Sequence, residues 1–425
     1  MRKNILVFPC GSEIALEIAR SLDGDRHFHL VGASSVQDHG RFVFDDIVSD
    51  VPWIGDPDFI PCIKRIVLER SIDLIYPATD MAVAVLKAAE KDIGTIVVSS
   101  SIETTEVCLS KDKTYKALRG VVKLPKIYQA EDPLKYPIFA KPDIGHSSKG
   151  TAIINSDEEK DAFLSKNRGT LLLEFLPGSE YTVDCFSDRK GKLLFSGARK
   201  RARTMNGISV NTMPVNDMEQ NLFRSLVENI NRALQFRGAW FAQFKRDVAG
   251  ELTLMEIAAR FGGSSGLYRG LGVNFALLSI WDALGFDVSV MPNCFPIEMD
   301  RALNNKYKLG ISFNEVFLDY DDTIVMSEDN TFNPKVMQLV FVCINRGVKV
   351  TILSRHRGDL KKELSKRKID GLFTRVIHIA ENADKALYID NRRAIFIDDS
   401  FAERNNILSK CNIPVFGLDM IDALV

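Results

Sequence analysis

The stretch GAWFAQFKRDVAGELTLMEIAARFGG, residues 238–263, reads as two alternating strands around a short turn. Side chains two apart on a strand share a face, so Gln243, Lys245 and Asp247 fall together. On the next strand Glu256, Ala258 and Arg260 do the same. With residues 248–250 as the turn, Asp247 pairs near Glu251, which brings Gln243 close to Glu256. Asp247 then lies farther along the strand, roughly 13 Å away at about 3.3 Å per residue. An amide oxygen beside a carboxylate suits Mg²⁺, which takes few protein ligands and keeps waters and phosphate oxygens. Arg260 could hold a phosphate or carboxylate in bidentate fashion. A hairpin with a merely solvated polar face would alternate in the same way, so the neighbouring segments must decide.

YPIFAKPDIGHSSKG, residues 136–150, puts Lys141 at the end of an apolar strand, followed by a Gly/Ser loop at 145–150 that includes Ser147 and Ser148. Such a loop brings backbone N–H groups and small side chains close to phosphates, with Lys141 as a fixed cation. LLLEFLPGSEY, residues 171–181, is a buried strand that stops at a Pro-Gly turn. It leaves backbone edges exposed at Glu174, Phe175 and Leu176, which suits an adenine, while Glu180 could reach a ribose. SGARKRARTMNGIS, residues 196–209, places Arg199, Arg201 and Arg203 on one strand face, opposite Lys200. Three arginines converging on an acidic substrate and a solvated strand end are equally compatible with that pattern.

SKDKTY, YPIFAKPDIGHSSKG, LLLEFLPGSEYTVD and AQFKRDVAGELTLMEIAARFGG occur in the order and spacing of the ATP-grasp superfamily, which residues 1–290 resemble as a set. The resemblance implies ATP and Mg²⁺ as cofactors. Lys113 and Lys141 would contact phosphates, Glu174 and Leu176 would line the adenine hinge, and Glu180 would meet the ribose. Gln243 and Glu256 would bind Mg²⁺, and Arg260 would stabilise the reacting phosphoryl or acyl phosphate. The implied chemistry is ADP-forming ligation of a carboxylate to an amine, carried by positioning and charge neutralisation. Many members have Asn two residues after the metal glutamate, where this chain has Ala258, and a number have an acid where it has Gln243. A portion that only binds or senses ATP is therefore the alternative.

Upstream, NILVFP, HFHLVGAS, DLIYPA and TIVVS read as strands alternating with helices such as SEIALEIARSL and DPDFIPCIKRIVLERS. That alternation implies a parallel, doubly wound sheet. Its first turn, PCGSE, has one glycine and does not fit a dinucleotide fingerprint. The expected organisation is an α/β and α+β multidomain chain. It comprises a Rossmann-like domain at 1–108, the nucleotide-binding domain at 109–290, a connector at 291–312 and a second Rossmann-like domain at 313–425.

The last of these opens with FLDYDDTIV, residues 317–325, where Asp319 and Asp321 point the same way as an apolar strand ends. VKVTILSRH is a second buried strand finishing in Ser354, ADKALYI places Lys385 on an expected helix, and RAIFIDDS ends in Asp398 and Asp399. In a parallel sheet the carboxyl ends of strands sit side by side, so these carboxylates would crowd together and need a cation such as Mg²⁺. The order DxDxT, Ser, Lys, DD resembles the haloacid dehalogenase (HAD) superfamily of phosphatases over about residues 314–425. By that resemblance Asp319 is the nucleophile that forms an aspartyl phosphate. Asp321 is the general acid/base, with Thr323 orienting it, and Ser354 and Lys385 hold phosphoryl oxygens. Asp319, the backbone carbonyl of Asp321, and Asp398 bind Mg²⁺, with Asp399 in support. Thirty residues separate Thr323 from Ser354 and Ser354 from Lys385. A helix and a strand fill each gap, which leaves no room for a cap domain.

The 425 residues carry a net charge of -1, which argues against general nucleic-acid or anionic-membrane binding. The 7 cysteines are scattered, never form CxxC, and fit buried thiols of a reducing compartment. No stretch is long and apolar enough to span a bilayer, and nothing at the amino terminus reads as a signal. The expectation is a cytoplasmic, bifunctional ligase and phosphatase acting on small-molecule carboxylate, amine and phosphoester substrates, with self-association left open. A phosphatase whose nucleotide portion only binds or senses ATP remains the alternative.

Overall fold

The computed structural model describes residues 2–129, 132–145, 149–205, 207–302, 307 and 309–425. The chain divides into two units, residues 1–303 and 304–425.

In the first unit, strands β1 (Lys3–Phe8), β2 (Phe28–Ala33), β3 (Asp46–Val48), β4 (Leu74–Pro77) and β5 (Ile96–Val97) form a parallel sheet in the order β3-β2-β1-β4-β5. Ile5, Leu6 and Val7 are fully buried because helices cover both faces, as a parallel sheet requires. The helix Glu13–Ser21 starts at Ser12, whose hydroxyl accepts from the Ala15 N–H at 3.1 Å. Its Ile14, Ala15 and Ile18 face the sheet at helical spacing. Strand order reverses between β1 and β4, so the loops after Phe8 and Pro77 open a crevice at the carboxyl edge.

Two further sheets follow. The strands β6 (Ile127–Tyr128), β7 (Ile138–Pro142), β8 (Ala152–Ile154) and β9 (Thr170–Glu174) make a four-stranded antiparallel sheet in the order β6-β9-β7-β8. The six-stranded antiparallel sheet contains β10 (Glu180–Ser187), β11 (Leu193–Met205), β12 (Ile208–Pro214), β13 (Gly238–Arg246), β14 (Leu252–Ala258) and β15 (Met299–Asp300). Its order is β14-β13-β10-β11-β12-β15. The helix Asp217–Leu234 lays Phe223, Val227 and Ile230 against it, in one cluster with Trp240 and Phe244. The expected connector at 291–312 is not all linker: β15 pairs with β12, and Arg301 donates to Glu13 at 3.0 Å.

The second unit repeats the parallel pattern with β16 (Glu315–Leu318), β17 (Lys349–Ser354), β18 (Arg375–His378), β19 (Ala394–Ile397) and β20 (Val415–Phe416). The order is β18-β17-β16-β19-β20, with Leu318 beside Ile397 where it reverses. The helix Pro334–Asn345 precedes β17, and the helix Leu360–Lys366 precedes β18. Among the described residues, no helix is long and apolar enough to cross a membrane.

Candidate functional site

In the first unit the hairpin turn lies where its sequence implies, with Asp247 N–H donating to Glu251 O at 3.0 Å. Phe244 then pairs with Leu254, and a register shift skips Met255, so Gln243 stands opposite Glu256. Both line a cavity of about 440 Å³ together with Asp80, Lys111, Arg201 and Arg260. The cavity thus joins the carboxyl-edge crevice of the first sheet to the face of the six-stranded sheet.

Its arginines are tied to acids of the chain. Arg260 donates from Nη2 to Asp80 Oδ2 at 2.6 Å and lies over the Phe241 ring. Arg201 is ion-paired with Glu180 and donates to Gln243 Oε1 at 3.3 Å. Among the described residues, the buried Nε atoms of Arg201 and Arg260 have no hydrogen-bond partner. Arg199 is almost fully buried and donates from Nε to Asp184 Oδ2 at 2.6 Å. Lys141 donates to the Tyr115 hydroxyl at 2.8 Å and to Met255 O at 2.9 Å. Burial lowers its pKa to about 8, Glu256 works against that shift, and Lys111 adds to it.

Glu174, Phe175 and Leu176 form the crossing from β9 to β10, between the two antiparallel sheets. Leu176 is buried, and the Phe175 ring sits under Lys245 Nζ. Glu180 opens β10 opposite Lys245. Ser147 and Ser148 lie outside the described residues.

Two residues expected at this site have other partners in the structure. Lys113 is half-exposed and pairs with Glu106 at 3.6 Å, away from the cavity lining. Lys111 takes the inner position and donates to Asp143 O at 3.1 Å and Gly145 O at 3.3 Å. The helix Lys111–Ala117 buries Lys111, Thr114 and Tyr115, an i, i+3, i+4 face that its sequence already carried. Arg203 does not join Arg199 and Arg201, because register shifts flank it on β11, and it pairs with Asp300 in the open.

In the second unit, Lys385 Nζ donates to Asp319 Oδ1 and Asp398 Oδ2, each at 2.7 Å. The two carboxylates follow β16 and β19, the neighbours at the point of strand reversal. Burial raises the pKa of Asp319, against the pull of Lys385 and a hydrogen bond from Ser354. Burial likewise raises Asp398 to about 6, with Lys385 opposing and Asp319 adding to the rise. For Lys385, burial opposes the charge but the two aspartates outweigh it and hold its pKa above the ordinary value. Oxygens of Asp319, Asp398 and Asp399 lie within 4.8 Å of one another. Three carboxylates so placed, two of them buried, make a hard donor set that fits Mg²⁺.

Here too the sequence expectations need correction. Thr323 does not hold Asp321: its hydroxyl accepts from Asp399 N–H at 3.1 Å and lies 3.4 Å from Asp399 Oδ1. Asp321 is held by His356, whose Nδ1 lies 2.8 Å from Oδ1 and 3.1 Å from Oδ2. His356 was missed, although its place two residues after Ser354 on the same strand end could have flagged it. Lys385 opens a short 3₁₀ turn rather than an α-helix. Asp322 adopts a positive φ of 55° and caps its own loop by accepting from Ser327 N–H.

Residues 166–303 match the family described as ATP-grasp in the biosynthetic pathway with Ter operon. Among curated relatives the chain is similar to the D-alanine–D-alanine ligase of Thermotoga sp. strain RQ2, 28% identical over 141 residues. That match covers 30% of this chain and 46% of the relative, so the chain spans about half the length of the curated relatives it matches. The fold is similar to the biotin carboxylase domain of Hydrogenobacter thermophilus 2-oxoglutarate carboxylase, solved with MgADP, at 18% identity and a TM-score of 0.58. That likeness covers 68% of this chain and 71% of the other. It is also similar to Staphylococcus aureus N5-carboxyaminoimidazole synthetase complexed with ADP, at 15% identity and a TM-score of 0.56, covering 69% and 79%. Residues 166–303 are therefore similar in sequence to an ATP-grasp family, and the chain shares its fold with these two solved structures.

Proposed function

We propose that the chain carries two enzymes: an ADP-forming carboxylate–amine ligase in the first unit and a Mg²⁺-dependent HAD phosphatase in the second. The ligase reading rests above all on Gln243 and Glu256 standing opposite one another at a cation-lined cavity. Lys111 and Lys141 would bind phosphates of ATP, and the crossing at Glu174, Phe175 and Leu176 would receive the base. Glu180 would meet the ribose, which requires it to exchange Arg201 for a sugar hydroxyl. Gln243 and Glu256 would hold one Mg²⁺, which when bound neutralises phosphate charge. The substrate carboxylate oxygen attacks the γ-phosphorus, the bond to ADP breaks, and an acyl phosphate forms. An amine then attacks the acyl carbon, phosphate leaves with the bonding electrons, and the amine loses a proton. Arg201 and Arg260, with unpartnered Nε donors, would steady the acyl phosphate.

The phosphatase reading rests on Lys385 bridging Asp319 and Asp398 where the strand order reverses. Asp319 attacks phosphorus as the ester bond breaks, and Asp321 gives its proton to the departing oxygen. Water then attacks the aspartyl phosphate, Asp321 takes a proton back, and Asp319 is released with inorganic phosphate. Asp319, Asp398 and Asp399 would hold Mg²⁺, which supplies charge neutralisation at the phosphoryl oxygens.

Ala258 lines the cavity beside Glu256, the one carboxylate of the Gln243–Glu256 pair, and favours a second reading in which the first unit binds ATP without splitting it. Separate assays of Glu256→Gln and Asp319→Asn test these roles. Glu256→Gln should abolish acid- and amine-dependent ADP release while leaving phosphatase activity intact, and Asp319→Asn should do the reverse. An unchanged rate in either matched assay refutes that assignment. ATP that binds but is never cleaved across a broad acid and amine screen would establish the second reading.

A further inference from the structure

We propose that His356 is a positioning residue that aims the Asp321 carboxyl at the leaving group, an inference that rests on the phosphatase reading of the second unit. The two reacting carboxylates are held very differently. Asp319 is buried and fixed by Lys385 and Ser354. Asp321 has a side chain 44% exposed, and among the described residues His356 is its one side-chain hydrogen-bond partner. A half-exposed carboxyl on two free torsions has several staggered states open to it, and only some face a phosphoester on Asp319.

His356 is itself braced. It follows Ser354 at the end of β17, where Ser354 pairs with His378 of β18. The His378 Nε2–H donates to the His356 carbonyl at 2.8 Å, which fixes the backbone. The buried Tyr320 ring meets the imidazole edge-on, with centroids 5.1 Å apart and planes at 82°. Tyr320 lies between Asp319 and Asp321 in sequence, so the residue that steadies the imidazole is peptide-linked to both reacting aspartates. With Nδ1–H donating to one Asp321 oxygen, the transferable proton resides on the other, and its direction is set. In the first step that proton moves to the ester oxygen as the phosphorus–oxygen bond breaks. In the second, the proton from water returns to the same oxygen.

The help of an aimed acid matters most when the leaving oxygen is basic. A nitrophenolate departs without a proton, whereas an alkoxide does not. The test is kcat/KM, which covers the steps through leaving-group departure, measured on the full chain with Mg²⁺. The substrates are p-nitrophenyl phosphate, phenyl phosphate and a simple alkyl phosphate. His356→Ala should lower the alkyl value by about tenfold to a hundredfold and leave the p-nitrophenyl value within about twofold, steepening the dependence on leaving group. His356→Asn, which keeps an N–H donor near the Nδ1 position, should recover part of the alkyl loss. Near-wild-type p-nitrophenyl turnover also reports that each variant is folded. An equal fall for all three esters, or no fall, overturns the positioning role while leaving the phosphatase reading intact. A wild-type chain that hydrolyses none of them removes the phosphatase reading and this inference with it.

Discussion

Gln243 stands opposite Glu256 because Met255 is skipped in the pairing of β13 with β14. Strict pairing outward from Asp247 and Glu251 would have placed Met255 there and turned Glu256 to the other face. The extra residue does a second thing: its carbonyl, freed from the strand pairing, accepts from the Tyr115 hydroxyl and from Lys141. One β-bulge therefore sets both the metal-type oxygens and the buried lysine, as bulges beside active sites commonly do.

The pair holds one carboxylate, and ligand charge tunes affinity for a hard cation. Gln243→Glu should lower the Mg²⁺ concentration for half-maximal ADP formation by roughly threefold to tenfold. The Arg201 N–H that donates to Gln243 Oε1 at 3.3 Å would donate to the new carboxylate, so folding should be unaffected. A Mg²⁺ titration of ATP cleavage in the two proteins checks it, and an unchanged midpoint would place the metal elsewhere.

Lys141 gives a pH signature. Its pKa is lowered by burial to about 8, so its charge is complete below that pH and is lost as pH rises through it. An ordinary lysine would stay charged up to about pH 10. If Lys141 binds phosphate, ADP affinity should fall between about pH 7.5 and 9, and adenosine affinity should not. Stability moves the opposite way: the unfolded chain holds more protons over this window, so removal of the buried charge favours the folded state as pH rises from 8 towards 10.5. Calorimetric titration with both ligands at several pH values measures the first effect.

What the sequence made legible follows from what periodicity encodes. The strands, the hairpin turn and the helix Asp217–Leu234 are local patterns, and the turn brings Gln243 near Glu256, but the bulge at Met255 that sets the two opposite one another leaves no mark in the alternation. Arg203 was not, because register shifts on either side of it cannot be seen in an alternating run of cations. The motif points to Lys113, whereas the buried face of the helix Lys111–Ala117 carries Lys111. Thr323 and His356 exchanged roles for a different reason. Which side chain reaches Asp321 depends on where β17 ends relative to β16, a long-range relation.

The arginines of β11 should separate by environment rather than by motif. Arg199→Leu leaves Asp184, which is fully buried with one oxygen already unpartnered among the described residues, without its counter-charge. Breaking such a pair costs about 3–5 kcal/mol, so the variant should unfold at clearly lower denaturant. Arg203→Ala removes an exposed pair with Asp300 and should cost less than about 1 kcal/mol, with ADP formation unchanged. Denaturant titrations and ATP turnover of the two variants distinguish this ordering from three equivalent substrate arginines.

Asp398 ties metal binding to stability in the second unit. Its pKa is raised by burial to about 6, so the folded unit binds more protons than the unfolded chain between about pH 4 and 6. Stability therefore falls as pH rises through that window, and the whole cost is present at pH 7. Lys385 offsets part of the crowding with Asp319, and a divalent cation would offset the rest. Asp398→Asn removes the buried charge but also one proposed metal ligand. In chelator at pH 7 the variant should be the more stable protein, and in saturating Mg²⁺ the order should reverse. Near pH 4, where Asp398 is largely protonated in the folded state, the advantage of the variant in chelator should shrink. Hydrogen exchange on the interior strand Ala394–Ile397 reads this unit without the other. If Mg²⁺ protects that strand equally in both proteins, Asp398 is not a ligand, and the raised pKa records burial alone.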